Sequence, residues 1–99
     1  MTINVERDFE FVTLGIKGRL DATTAPNLET TVNELSTDVK ELVFDMAELE
    51  YISSAGIRVI LGAYKKMNSN QGAMRVEKAN DIVCEVFEMT GLSELLNNK

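Results

Sequence analysis

The chain has 99 residues, 44% hydrophobic and 26% charged, with a formal charge of −6. That is the composition of one ordinary globular domain, too short for a second core and too apolar for a disordered segment. The acidic balance excludes the concentrated Lys and Arg of a nucleic-acid binder, and no apolar run approaches the ~20 residues of a transmembrane helix.

Two early runs, Ile3 to Arg7 and Phe11 to Lys17, alternate apolar and polar residues around the turn Asp8-Phe9-Glu10. They predict an antiparallel hairpin. Gly18-Arg19-Leu20-Asp21 then leaves the sheet, with Asp21 suited to a turn or cap. Thr23 or Thr24 caps a helix whose Ala25, Leu28, Val32 and Leu35 share one face, with Pro26 in its first turn.

Glu41 to Met46 predicts a central strand, and the short Leu49-Glu50-Tyr51-Ile52 leads to a second helix. Ile57, Ile60, Leu61, Tyr64 and Met67 follow the spacing of one buried helical stripe, so that helix starts near Ala55 and Ser54 is its expected N-cap. Ala73 to Glu77 predicts another strand. Asn80 or Asp81 caps a third helix that turns Ile82, Val83, Val86 and Phe87 inward, and Gly91 stops it. Cys84 lies in that pattern as a core thiol, and as the lone cysteine it excludes an internal disulfide. Leu92, Leu95 and Leu96 close one more short helix, while Met46, Met67, Met74 and Met89 read as core fillers. The expected fold is α/β: a mixed β-sheet opened by an antiparallel hairpin, with about four helices and right-handed crossovers. One domain over residues 1–99 is expected, and Leu96-Asn97-Asn98-Lys99 leaves little for a terminal extension.

The segment Ser53-Ser54-Ala55-Gly56-Ile57-Arg58-Val59-Ile60-Leu61 places two hydroxyls at the mouth of the second helix. Backbone N–H groups there lack intrahelical partners, and with the macrodipole they favour negative charge, so a phosphoserine at the cap is tolerated. On residue chemistry alone Ser54 is a structural cap. The same segment, preceded by Leu42-Val43-Phe44-Asp45 and followed by Gly72-Ala73-Met74-Arg75-Val76, resembles the STAS domain of bacterial anti-sigma-factor antagonists. Gly18-Arg19-Leu20-Asp21 and Phe87-Glu88-Met89-Thr90-Gly91-Leu92 are similar to that family too, so the likeness covers nearly the whole chain.

The resemblance implies a non-enzymatic protein that, unphosphorylated, binds an anti-sigma factor with serine kinase activity and frees the sigma factor. Phosphorylation by that partner releases it, and a serine phosphatase of the same pathway resets it. Aligned on Gly56 and Ile57-x-Val59, the family's phosphoacceptor falls on Ser54, and its usual preceding aspartate falls on Ser53, which leaves Ser53 as a rival acceptor. The implied partner-binding residues are Asp21, Ser53, Ser54, Ala55, Gly56 and Arg58, and Arg58 by itself reads as a solvated surface residue. A constitutive STAS scaffold in a transport or stress-signalling assembly, with Ser54 only a cap, is the alternative.

Without histidine there is no Ser-His-Asp or Cys-His arrangement, and the chain has no Ser-x-x-Lys, Gly-x-Ser-x-Gly, Walker or dinucleotide signature. Zinc ligands and EF-hand spacing are missing as well, so no cofactor, metal or catalytic residue is expected. Met1-Thr2-Ile3-Asn4-Val5 lacks the basic start and apolar stretch of a signal peptide, and the cytoplasm is the expected location.

Overall fold

A computed structural model describes residues 1–96. Strands β1 (Thr2–Asp8), β2 (Phe11–Leu20), β3 (Glu41–Ile52) and β4 (Ala73–Glu77) form one sheet in the order β1-β2-β3-β4. β1 is antiparallel to β2, and the remaining pairs are parallel, which is the mixed α/β sheet that the alternation of elements anticipates. Helices α1 (Ala25–Asn33), α2 (Ser54–Ser69) and α3 (Asp81–Met89) connect or follow the parallel strands. The fourth expected helix is a single 3-10 turn at Ser93–Leu95, after which Leu96 bridges to Val76.

One face of the sheet carries the core. Val12, Leu14 and Ile16 of β2, Leu42, Phe44 and Met46 of β3 and Val76 of β4 pack in one cluster with Leu28, Ile57, Ile60, Val83 and Phe87 from the helices. The opposite face holds the row Glu6, Thr13, Val43 and Arg75, where Arg75 binds Glu41 and Glu77. Strand alternation explains the split, because successive side chains point to opposite sides.

β2 and β3 run further than their apolar patterns suggest. Gly18, Arg19 and Leu20 do not leave the sheet; they pair with Leu49, Tyr51 and Ile52. Register shifts between Gly15 and Lys17 and between Gly18 and Arg19 absorb the broken alternation, with Gly18 at φ +98 in the second. The Met46-to-Leu49 gap is therefore an irregularity within one twelve-residue strand.

Helix ends are tied by long side chains from neighbouring elements. Lys66 Nζ of α2 donates to Val32 O and Asn33 O at the C-terminus of α1 (3.1 and 3.3 Å), and Lys40 Nζ donates to Asn70 O after α2 (2.7 Å). Each ammonium meets carbonyls at a negative helix end. Asn80 caps α3: its Oδ1 accepts from Val83 N at 2.8 Å, while its Nδ2 donates to Leu49 O at 3.0 Å. Gly91, at φ +77, stops α3 with Gly91 N donating to Glu88 O and Leu92 N to Phe87 O, a Schellman arrangement.

Five packing expectations need correction. Leu61, expected in the buried stripe of α2, is only half-buried, and Val59 and Ala63 are buried instead. Ile82 is 59% exposed because the short α3 turns only Val83 and Phe87 fully inward. Met89 lies outside as well, whereas Met46 and Met67 are buried. Cys84 is half-buried, its Sγ donating to Ala79 O. Leu35 sits two residues beyond α1 and is half-buried against the core.

Candidate functional site

The site lies where the C-terminal ends of β2 and β3 meet the start of α2. Leu20 pairs with Ile52, and Ser53 N donates to Leu20 O at 2.9 Å, so the last residues of the two strands are clamped before the helix begins. Ser53 has extended backbone (φ −100, ψ 177), and its carbonyl accepts the first intrahelical bond from Ile57 N at 3.0 Å. Ser53, and not Ser54, is therefore the N-cap. Continuation of the β3 ladder through Ile52 moves the helix start one residue earlier than the apolar stripe indicates.

The two hydroxyls sit in opposite environments. Ser53 Oγ is buried and has no hydrogen-bond partner among the described residues. Ser54, the first residue of α2, is exposed. No side chain caps the helix, and no acidic residue occupies its first turn, so the N-terminal N–H groups and the positive dipole end are not neutralised from within.

Gly56 is buried against the strand ends. A Cβ there would lie 2.7 Å from Leu20 Cγ and 2.8 Å from Ile52 Cγ1, distances real Cβ atoms do not tolerate. The missing side chain lets the first turn of α2 approach the sheet closely enough to set the position of Ser54. Ala55 is half-buried beside it.

Asp21 follows β2 and spends its carboxylate on its own turn. Oδ1 accepts from Thr23 N (3.0 Å), Thr23 Oγ1 (2.7 Å) and Thr24 N (3.3 Å). Thr24 is the N-cap residue of α1 without a capping side-chain bond; its Oγ1 accepts from Asp21 N and donates to Arg19 O, both at 2.9 Å. The Thr23 hydroxyl and then the Thr23 amide hold the Asp21 carboxyl below its ordinary value of 3.8. Because the folded value is lowered, the turn's contribution is complete above the ordinary value and is lost as pH falls through the folded one. Protection factors of the Thr23 and Thr24 amides should therefore hold near neutral pH and drop in acid. Asp21→Ala should remove that of Thr23 at every pH with little change in global unfolding, while Thr24 N keeps its bond to the Asp21 carbonyl (3.2 Å); retained Thr23 protection would show that the Asp21 carboxylate does not anchor the turn.

Arg19, which the motif contains but no role was assigned, stands beside Asp21 with its guanidinium 4.4 Å from the Tyr51 ring centroid and Nε 3.9 Å from Asp21 Oδ2. Its register partner is Tyr51, a cross-strand pairing that linear spacing does not display. Arg58 is exposed one turn into α2, beside Glu29 in the shallow groove between α1 and α2, and makes no ion pair among the described residues. The residues thus fall into a clamped strand-end platform, an exposed hydroxyl on it and an adjoining Asp-Thr turn. A wide depression of about 580 Å³ opens at the other end of the strands, lined by Arg7, Phe9, Phe11 and Lys40 among others, and takes no part in this site.

The STAS domain family matches residues 2–99. The chain belongs to that family. It is 32% identical over 95 residues to the anti-sigma-B factor antagonist of Listeria monocytogenes, an alignment covering 95% of this chain and 83% of the relative. Its fold is similar to that of the anti-sigma factor antagonist SpoIIAA in its unphosphorylated form, with a TM-score of 0.87 at 18% identity over 99% of this chain and 88% of that one. The Bacillus cell fate determinant SpoIIAA in its phosphorylated form gives a TM-score of 0.81 at 17% identity, covering 99% of this chain and 91% of that one. In this STAS chain, no described helix is long and apolar enough to cross a membrane.

Proposed function

We propose that this STAS protein is an anti-sigma-factor antagonist whose partner is an anti-sigma factor with serine kinase activity. The exposed Ser54 hydroxyl at an uncapped helix N-terminus carries this reading, with the neighbouring Ser53 hydroxyl buried. The Listeria relative bears the antagonist name, and the similar SpoIIAA fold exists in a phosphorylated form.

In the unphosphorylated state the protein binds the anti-sigma factor through Ser54, Ala55 and Arg58 with the Asp21 turn alongside, the buried Gly56 setting their position rather than touching the partner, which frees the sigma factor. Ser54 Oγ then attacks the γ-phosphorus of ATP held by the partner. The bond from that phosphorus to the β–γ bridging oxygen breaks, ADP leaves, and the hydroxyl proton passes to a base of the kinase. The Ser54 phosphate is accommodated by the free N–H groups of α2 and disfavours the complex; a serine phosphatase of the same pathway restores the hydroxyl. This chain supplies the attacking oxygen and the platform, with no imidazole of its own.

Incubation with a cognate anti-sigma kinase, ATP and Mg²⁺ should place one phosphate on Ser54, located by peptide mass spectrometry. Ser53→Ala should be labelled like the wild type and Ser54→Ala not at all. Persistent labelling of Ser54→Ala would transfer the role to another hydroxyl and sink the assignment.

A further inference from the structure

β1 is an edge strand. Its seven residues pair with β2 in unbroken register, so every second residue on its other side presents a backbone N–H and C=O without a strand partner. β1 contains neither Lys nor Pro and pairs without a bulge, and its charged residues Glu6, Arg7 and Asp8 are gathered at its C-terminal end. On this strand and its hairpin turn two apolar side chains are left in water: Val5 is 52% exposed and Phe9 88%. Phe9 also sits at φ +57, a left-handed conformation that suits Gly or Asn and strains a bulky residue. An exposed aromatic held in a strained conformation is costly to the isolated chain on both counts.

We propose that β1 pairs antiparallel with β1 of a second copy of this chain, joining two sheets across a twofold axis. Self-pairing of one strand admits few registers, and charge selects among them. Centred on Val5, the opposed residues are Val5 with Val5, Asn4 with Glu6, Ile3 with Arg7, Thr2 with Asp8, and Met1 with Phe9. No like charges meet. Thr2 and Asn4 offer donors to the carboxylates, and Phe9 comes opposite the start of the partner's strand at Met1. Centring on Glu6 or on Arg7 puts identical charges face to face, which is destabilising. Centring on Asn4 leaves Asp8 and Phe9 beyond the paired stretch. Of the registers free of like-charge pairs within the strand, the Val5 one places both exposed apolar side chains within the paired stretch. It is isologous and so closes at two copies. Ser54 follows β3, two strands in from this edge, so the pairing goes beyond the partner-switching reading and does not depend on it.

Sedimentation equilibrium of the full chain, from micromolar to about 1 mM, should show passage from one chain mass to two. Val5→Lys places two ammonium groups across the axis at a half-exposed position, and should weaken the dimer at least about tenfold with unchanged circular dichroism. Phe9→Gly relieves the left-handed strain, so it folds at least as well as wild type, yet it should also dimerise more weakly. A wild type that stays monomeric throughout, or a dimer indifferent to both Val5→Lys and Phe9→Gly, overturns the proposal.

Discussion

Gly56→Ala should destabilise the fold, although alanine is the better helix former. An added Cβ would stand 2.7 Å from Leu20 Cγ, 2.8 Å from Ile52 Cγ1 and 3.1 Å from Leu20 Cδ2. Leu20 and Ile52 are 0% and 1% exposed, so neither side chain has free volume to move into. Overpacking of this kind costs about 1–3 kcal/mol, against a helix-propensity gain of up to about 1 kcal/mol. For a domain of this size each kcal/mol moves the thermal midpoint by roughly 4–8 °C. Gly62→Ala is the internal control: it lies in the same helix, is exposed, and a Cβ there meets nothing within 4 Å. Propensity then acts alone, and Gly62→Ala should be stabilising by up to about 1 kcal/mol. Calorimetric unfolding of both variants should give shifts of opposite sign. Shifts of the same sign would mean that the close approach of α2 to Leu20 and Ile52 does not govern this position.

Ser54→Asp should leave the fold intact and sharply weaken the complex with the anti-sigma factor. At the first position of α2 a negative charge meets unneutralised N–H groups and the positive dipole end, an interaction worth about 0.3–1 kcal/mol at an exposed site. The thermal midpoint should therefore hold or rise slightly. In the proposed complex the same charge is desolvated at the interface, and a mismatched buried charge costs about 2–5 kcal/mol of affinity. Binding should fall by at least about tenfold, since roughly 1.4 kcal/mol is one decade. Ser54→Ala should bind like the wild type and stay bound when ATP is added. Titration calorimetry with the partner beside thermal unfolding separates the two effects. If Ser54→Asp unfolds the domain or binds with wild-type affinity, the electrostatic switch fails, and a constitutive scaffold explains the chain better.

Local patterns carried most of the fold because they report short-range physics. The alternation of Ile3 to Arg7 and Phe11 to Lys17, the stripe Ile57, Ile60, Leu61, Tyr64 and Met67, and the Asn80 and Gly91 punctuation each reappear as β1 and β2, α2 and the ends of α3. Where alternation broke, at Gly18 and between Met46 and Leu49, the reading stopped strands that in fact continue, because bulges hide a ladder from period-two analysis. Ile82 and Met89 failed for a related reason: apolar identity does not state which side of a nine-residue helix finds a partner.

The amino-acid sequence by itself determined the order and type of the elements, the family, and the pair of serines at the mouth of α2, since all of these rest on residue identity and spacing. Tertiary structure decided which hydroxyl is exposed. The difference between Ser53 and Ser54 is one residue of helix register, and that register is set by the hydrogen bond from Ser53 N to Leu20 O, a contact between residues 33 positions apart. The meaning of Gly56 was likewise hidden, because the atoms a Cβ would strike belong to Leu20 and Ile52, one of them on another strand. Strand pairing brings those groups together, and no pattern along the chain encodes how closely.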